Sequence, residues 1–151
     1  FGISAAYQNG ASGSNDNSIQ LTYDGLMDGL SIGYGTGEQG ASTDLENAFV
    51  KYSMGPVTVA YQKSERDNSG ANNEESTGLG IGVAVNENLS VSYGMWDVDM
   101  GTGTDEESSG ISASYTMGSM TIVAVSNATD NVAGSSASDD TFSEVSVSFA
   151  F

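Results

Sequence analysis

Residues 79–95 read Leu-Gly-Ile-Gly-Val-Ala-Val-Asn-Glu-Asn-Leu-Ser-Val-Ser-Tyr-Gly-Met, and this stretch decides the fold. Leu79, Ile81, Val83 and Val85 alternate with Gly80, Gly82 and Ala84. After a break at Asn86 to Asn88, Leu89, Val91, Tyr93 and Met95 alternate with Ser90, Ser92 and Gly94. Side chains of a β-strand point to opposite faces with period two, so each run places its large apolar groups on one face and only small or polar groups on the other. Two such runs joined by a short polar turn form an antiparallel hairpin.

The same alternation extends in both directions. Ile3, Ala5 and Tyr7 alternate with Ser4, Ala6 and Gln8, and Ile19, Leu21 and Tyr23 with Ser18, Gln20 and Thr22. Leu30, Ile32 and Tyr34 interleave with Ser31, Gly33 and Gly35; Ala48, Val50 and Tyr52 with Asn47, Phe49 and Lys51; Val57, Val59 and Tyr61 with Thr58, Ala60 and Gln62. Ile111, Ala113, Tyr115 and Met117 oppose Ser112, Ser114 and Thr116, and Val145, Val147, Phe149 and Phe151 oppose Glu144, Ser146, Ser148 and Ala150. Only Met120 to Ser126 departs, because Val123 and Val125 share it with Met120 and Ile122; that strand is expected to be covered on both faces. The result is an all-β chain of about ten antiparallel strands, with no helical stripe.

Short turns fall at Asp24 to Gly29, Met54 to Pro56, Asn86 to Asn88 and Gly118 to Ser119. Longer polar segments fall at Asn9 to Asn17, Thr36 to Thr43, Ser64 to Ser76, Asp97 to Ser109 and Thr129 to Asp140. Every second connection is long, so the long ones emerge at one end of the sheet, the layout of a transmembrane antiparallel β-barrel of the outer membrane. A soluble β-sandwich would bury the same apolar faces, but it has no reason to sort tyrosine by depth. In strands running toward the long segments Tyr7, Tyr34, Tyr61 and Tyr93 come late; in those running toward the short turns Tyr23, Tyr52, Tyr115 and Phe149 come late. With Phe151 these residues are expected to form two lipid-facing aromatic girdles, where a ring sits in the interface and its hydroxyl in water. The opposite face is too small and polar to fill a dry interior, so the lumen should be wet. Because lipid leaves no backbone group unpaired, the sheet must close, alone or with further strands.

The chain has 151 residues, consistent with one domain spanning 1–151, and carries 20 Asp+Glu against 3 Lys+Arg, with a formal charge of -17. So acidic a surface repels phosphate backbones and excludes nucleic-acid binding. The absence of His and Cys removes the Ser-His-Asp and Cys-His nucleophiles, zinc and iron–sulfur sites built on those ligands, and any disulfide framework. No enzyme activity is expected. No apolar run is long enough for a transmembrane helix. The chain begins abruptly in a strand-like run, with no export signal ahead of Phe1, so the domain is expected to lack its N-terminal strands.

The segment Tyr-Ser-Met-Gly-Pro-Val-Thr-Val-Ala-Tyr (Tyr52 to Tyr61), the run Leu-Ser-Val-Ser-Tyr-Gly (Leu89 to Gly94) and the ending Val-Ser-Val-Ser-Phe-Ala-Phe (Val145 to Phe151) resemble the C-terminal portion of an alphaproteobacterial-type general diffusion porin. The terminal Phe resembles the signal by which outer-membrane barrels are recognised for assembly. The resemblance implies a barrel of about 16 strands, a homotrimer in the outer membrane, and a water-filled channel for passive diffusion of ions and small hydrophilic solutes. It also implies a constricting external loop, which this chain does not display. A surface barrel acting as adhesin or receptor without an open pore shares every strand feature and stays open as the alternative. Outer-membrane barrel proteases are similar in strand number, but that resemblance would imply a catalytic His.

Glu46, Lys51, Ser92 and Glu144 are the expected pore-lining residues. Asp97, Asp99, Asp105, Glu106 and Glu107 are expected to charge the external mouth, to favour cations, and to offer oxygen ligands to Ca²⁺ or Mg²⁺ that would bridge to anionic lipopolysaccharide. A diffuse anionic mouth with counterions explains the same residues without a fixed metal. No other cofactor is implied. Lys63 and Arg66 are placed near the loop end, with Lys63 snorkelling from the apolar face. Gly35-x-Gly37-x-x-Gly40 has dinucleotide-fingerprint spacing without a following helix, Asp97-x-Asp99-x-Gly101 lacks the later calcium-loop positions, and Gly78, Gly80 and Gly82 read as small residues on one strand face.

Overall fold

A computed structural model describes residues 2–9, 15–40, 42–69, 73–101 and 103–150; of these, the side chains of residues 4–9 and 15 fall outside the description. Ten strands follow one another as β1 (Gly2–Asn9), β2 (Asn15–Tyr23), β3 (Leu30–Gln39), β4 (Thr43–Met54), β5 (Val57–Asn68), β6 (Glu74–Ala84), β7 (Leu89–Asp99), β8 (Glu106–Met117), β9 (Met120–Asp130) and β10 (Asp140–Phe149). Each pairs antiparallel with its chain neighbour, and the order in the single sheet is the order in the sequence. Among the described residues no pairing joins β1 to β10, so the ten strands form an open sheet.

The apolar alternation places the strand centres, but their ends reach further than periodicity suggests. The segment read as polar from Ser64 to Ser76 is largely strand, with Arg66 opposite Glu74 and Glu65 opposite Glu75. Asp97 likewise pairs with Glu107 and Val98 with Glu106. The physical reason is that the backbone ladder continues after the apolar pattern stops: outside a lipid layer, water suits the side chains and the hydrogen bonds do not change. The connections that remain at this end are short, apart from the segment between β9 and β10. That segment makes a 3-10 turn at Val132–Gly134 and folds onto its neighbour, with the Ala133 N–H donating to Glu106 Oε2 at 2.8 Å and Asn131 Nδ2 donating to the Asp105 carbonyl at 3.0 Å.

At the other end the connections are tight. Gly29 takes φ 77° and its carbonyl accepts the Ser53 N–H at 2.8 Å; a Cβ here would collide with the Ser53 carbonyl oxygen, so this turn requires glycine. Among the described residues no helix is long and apolar enough to cross a membrane. Among the described residues there is no apolar core either, and the only buried positions are Gly35, Gly37 and Gly78. Ile81 is 44% exposed, Val147 53% and Leu79 55%, all on one face. Water does not tolerate a continuous apolar face of this kind, whereas acyl chains cover it.

Candidate functional site

Register assigns every residue to a face, because directly paired residues of an antiparallel sheet share one. Lys51 pairs with Ser31 and Ala60, Ser92 with Gly82 and Ser112, and Glu144 with Val125. All three stand on the polar face, where the sequence placed them. Glu46 does not. It pairs with Thr36 and Glu65, in the parity of Tyr34, Ala48 and Val50, and so belongs to the apolar face near the loop end. The lumen expectation for Glu46 is therefore corrected, and the alternation that put Ala48 and Val50 outside already required it. Arg66 stands on the polar face, opposite Leu45 and Glu74, with its guanidinium 3.7 Å from the Glu74 carboxylate. β9, expected to be covered on both faces from Met120 to Ser126, is half-buried from Met120 to Val125 and exposed at Ser126, with Val123 and Val125 on the polar face against Ser114 and Ser112.

The five acidic residues assigned to one mouth are divided. Asp97, Asp99 and Glu107 extend the apolar face beyond its hydrophobic part, Glu106 points to the polar face, and Asp105 lies in the β7–β8 connection. Several carboxylates cap backbone N–H groups: Asp99 Oδ1 accepts from Gly101 at 2.7 Å, and Asp139 Oδ1 from Asn131 at 3.2 Å. Among the described residues no three acidic side chains converge as they would around a metal ion. Lys63 lies on the apolar face, as a snorkelling residue should, with its ammonium 2.8 Å from Glu65 and 2.9 Å from Glu75. With Tyr34, Glu46 and Ala48 it borders a shallow hollow just above the apolar zone.

The aromatic residues follow a geometric rule that the sequence does not show. Tyr34 pairs with Ala48 and that with Lys63, two residues from Tyr61; Tyr61 pairs with Leu79 and that with Met95, two residues from Tyr93. The turn-end series steps identically, from Tyr23 through Ile32 and Val50 to Tyr52, and from Tyr115 through Ile122 and Val147 to Phe149. Each series therefore descends one residue per strand. With about 3.4 Å per residue and about 4.8 Å between strands, a line of constant depth implies strands tilted by about 35°, within the range of membrane barrels. The two series lie closer together than girdles at opposite rims would. The loop-end line crosses β4 between Ala48, the partner of Tyr34, and Val50, the partner of Tyr61, three residues from Tyr52, so along the strand the backbone lines are only about 10 Å apart. The side chains reach away from one another: Tyr23 Oη lies against Gly25 in the turn, while Tyr34 groups with Glu46 and Glu65 toward the other end. The Tyr7 side chain and Phe151 lie outside the described residues.

Two cavities open on the polar face, of about 570 Å³ and about 720 Å³. The first is bordered by residues the sequence reading passed over. Phe49, Gln62, Gly78, Trp96 and Ser108 form one row straight across five strands. Its two rings rest on glycines: a Cβ on Gly33 would overlap the Phe49 ring, and one on Gly78 the Trp96 ring. Opposing a bulky aromatic to a bare backbone is how a sheet seats a ring without displacing a strand. The next row, Ala60, Gly80, Gly94 and Gly110, is nearly free of side chains and ends at Lys51 on one side and Asn127 on the other.

The sheet thus has one face fit for lipid, one fit for water, and charge where the strands leave the apolar zone. No curated protein matches the chain. A protein-family model described as Gram-negative porin matches residues 1–149, and with that extent of agreement the chain belongs to the Gram-negative porin family.

Proposed function

We propose that the polar face lines a water-filled channel in which ions and small hydrophilic solutes diffuse passively, with cations favoured, and that the channel assembles as a homotrimer. The observation that carries this reading is the division of faces: Ile81, Tyr93 and Ile111 share a row on one side, while Gly82, Ser92 and Ser112 share the adjacent row on the other. The charges on the polar face are then Asp16, Lys51, the Arg66–Glu74 pair, Glu106, Asp140 and Glu144, and the formal charge of -17 biases the entrance toward cations. Asp97, Asp99 and Glu107 instead face outward, at the level where Ca²⁺ or Mg²⁺ counterions would link them to lipopolysaccharide phosphates.

Reversal potentials across a planar bilayer test the proposal. Cation preference should be strong at about 0.01 M salt and fade toward about 1 M, as the Debye length falls from about 30 Å to about 3 Å. Glu106→Gln should lower the low-salt preference and Glu107→Gln should not, with high-salt conductance unchanged in both. An anion-selective channel would contradict the charge argument, and a protein that inserts without conducting would favour a closed surface barrel.

A further inference from the structure

The polar wall is not uniform, and its departure from uniformity has a chemistry. A channel that only sieved ions would need small polar groups throughout. Here Phe49 and Trp96 stand in one row, and beside them a floor of Ala60, Gly80, Gly94 and Gly110 leaves backbone exposed under a cavity of about 570 Å³. No clash enforces the bareness at Gly80: nothing lies within 4 Å of a Cβ built there. Gln62 separates the two rings within their row, and Lys51 and Asn127 close the ends of the floor. The site therefore offers aromatic surface, open space above backbone, and hydrogen-bonding groups at the rim.

A wholly apolar ligand would strip water from Lys51, Gln62 and Asn127 without replacing it, which is unfavourable. A simple cation is drawn to a ring face but leaves the open floor and the rim amides unused, and Lys51 repels it. A sugar ring matches both parts, because its C–H face carries the partial positive charge that an aromatic face attracts, and its hydroxyl edge bonds amides and an ammonium. We propose that the Phe49–Trp96 wall is a subsite for pyranose sugars, holding short oligosaccharides transiently as they pass; this rests on the channel reading above.

Trp96 is the single tryptophan of the chain, so its fluorescence reports on the site directly. The full chain reconstituted in bilayers would be titrated with maltohexaose, with open-chain sorbitol as control, while current is recorded in parallel. A saturable change in Trp96 emission with maltohexaose, absent with sorbitol and matched by current interruptions over the same concentrations, is the expected result. Phe49→Ala should weaken the response about fivefold, the equilibrium equivalent of one aromatic contact. Gly80→Leu, which fills the floor, should abolish the response while the channel still conducts. A linear response, an equal response to sorbitol, or an unchanged affinity in Gly80→Leu would overturn the subsite. A saturable sugar response in a protein that never conducts would instead overturn the channel reading and leave the subsite standing.

Discussion

Ile81 and Ser92 show what a single position commits to. They lie in adjoining rows of neighbouring strands, Ile81 opposite Tyr93 and Ser92 opposite Gly82, yet they face different media. Ile81→Arg should destabilise the protein by roughly 2–4 kcal/mol in urea titrations of vesicle-folded chain, the cost of a guanidinium near the bilayer midplane. Ser92→Arg loses the 2.8 Å hydroxyl bond with Ser112 and should cost no more than about 1.5 kcal/mol. Equal costs at the two positions would mean that both faces are dry. Faces at this scale are legible in the sequence wherever alternation is unbroken, as it is around Lys51, Ser92 and Glu144, which share the polar face. At Glu46 charge and alternation point to opposite faces, and the register follows the alternation, in parity with Ala48 and Val50. The Phe49–Trp96 row was not legible, since residues 49, 62, 78 and 96 become neighbours only through three successive registers.

The hairpins set those registers, and their turns differ in how much they demand. Gly29 and Gly118 both take positive φ, 77° and 61°, but a Cβ on Gly29 meets the Ser53 carbonyl whereas nothing lies within 4 Å of one on Gly118. Gly118→Ala should therefore cost about 1–2 kcal/mol, the left-handed penalty alone. Gly29→Ala should cost more, because the strained residue must also push β4 away and weaken the Ser53 to Gly29 bond. Urea midpoints of the two variants would separate these contributions; a smaller loss for Gly29→Ala would contradict the packing described for this turn. Strand centres and short turns were readable because apolar spacing and turn residues encode them. Strand ends were not, because a run such as Glu74 to Thr77 has the same composition whether it pairs or loops.

Across the whole molecule, the chain is a Gram-negative porin of the outer membrane, and the ten strands show how it suits that place. Two parallel aromatic series fix a strand tilt of about 35°, and the apolar zone they mark ends at a belt of carboxylates. Salt should act on this belt more than on the sheet: raising ionic strength should change ion preference strongly and urea stability little, since the apolar zone between belt and turns and the backbone ladder carry no net charge. The sheet-wide claim is that one face meets water and the other lipid, and the absence of cysteine makes it directly testable. Single cysteines would be placed by Ser92→Cys, Ser112→Cys, Ile81→Cys and Ile111→Cys in bilayer-inserted protein, then exposed to a charged, membrane-impermeant thiol reagent during current recording. The account predicts rapid modification with altered conductance at positions 92 and 112, and no modification at 81 and 111. Labelling at 81 and 111 with protection at 92 and 112 would contradict it.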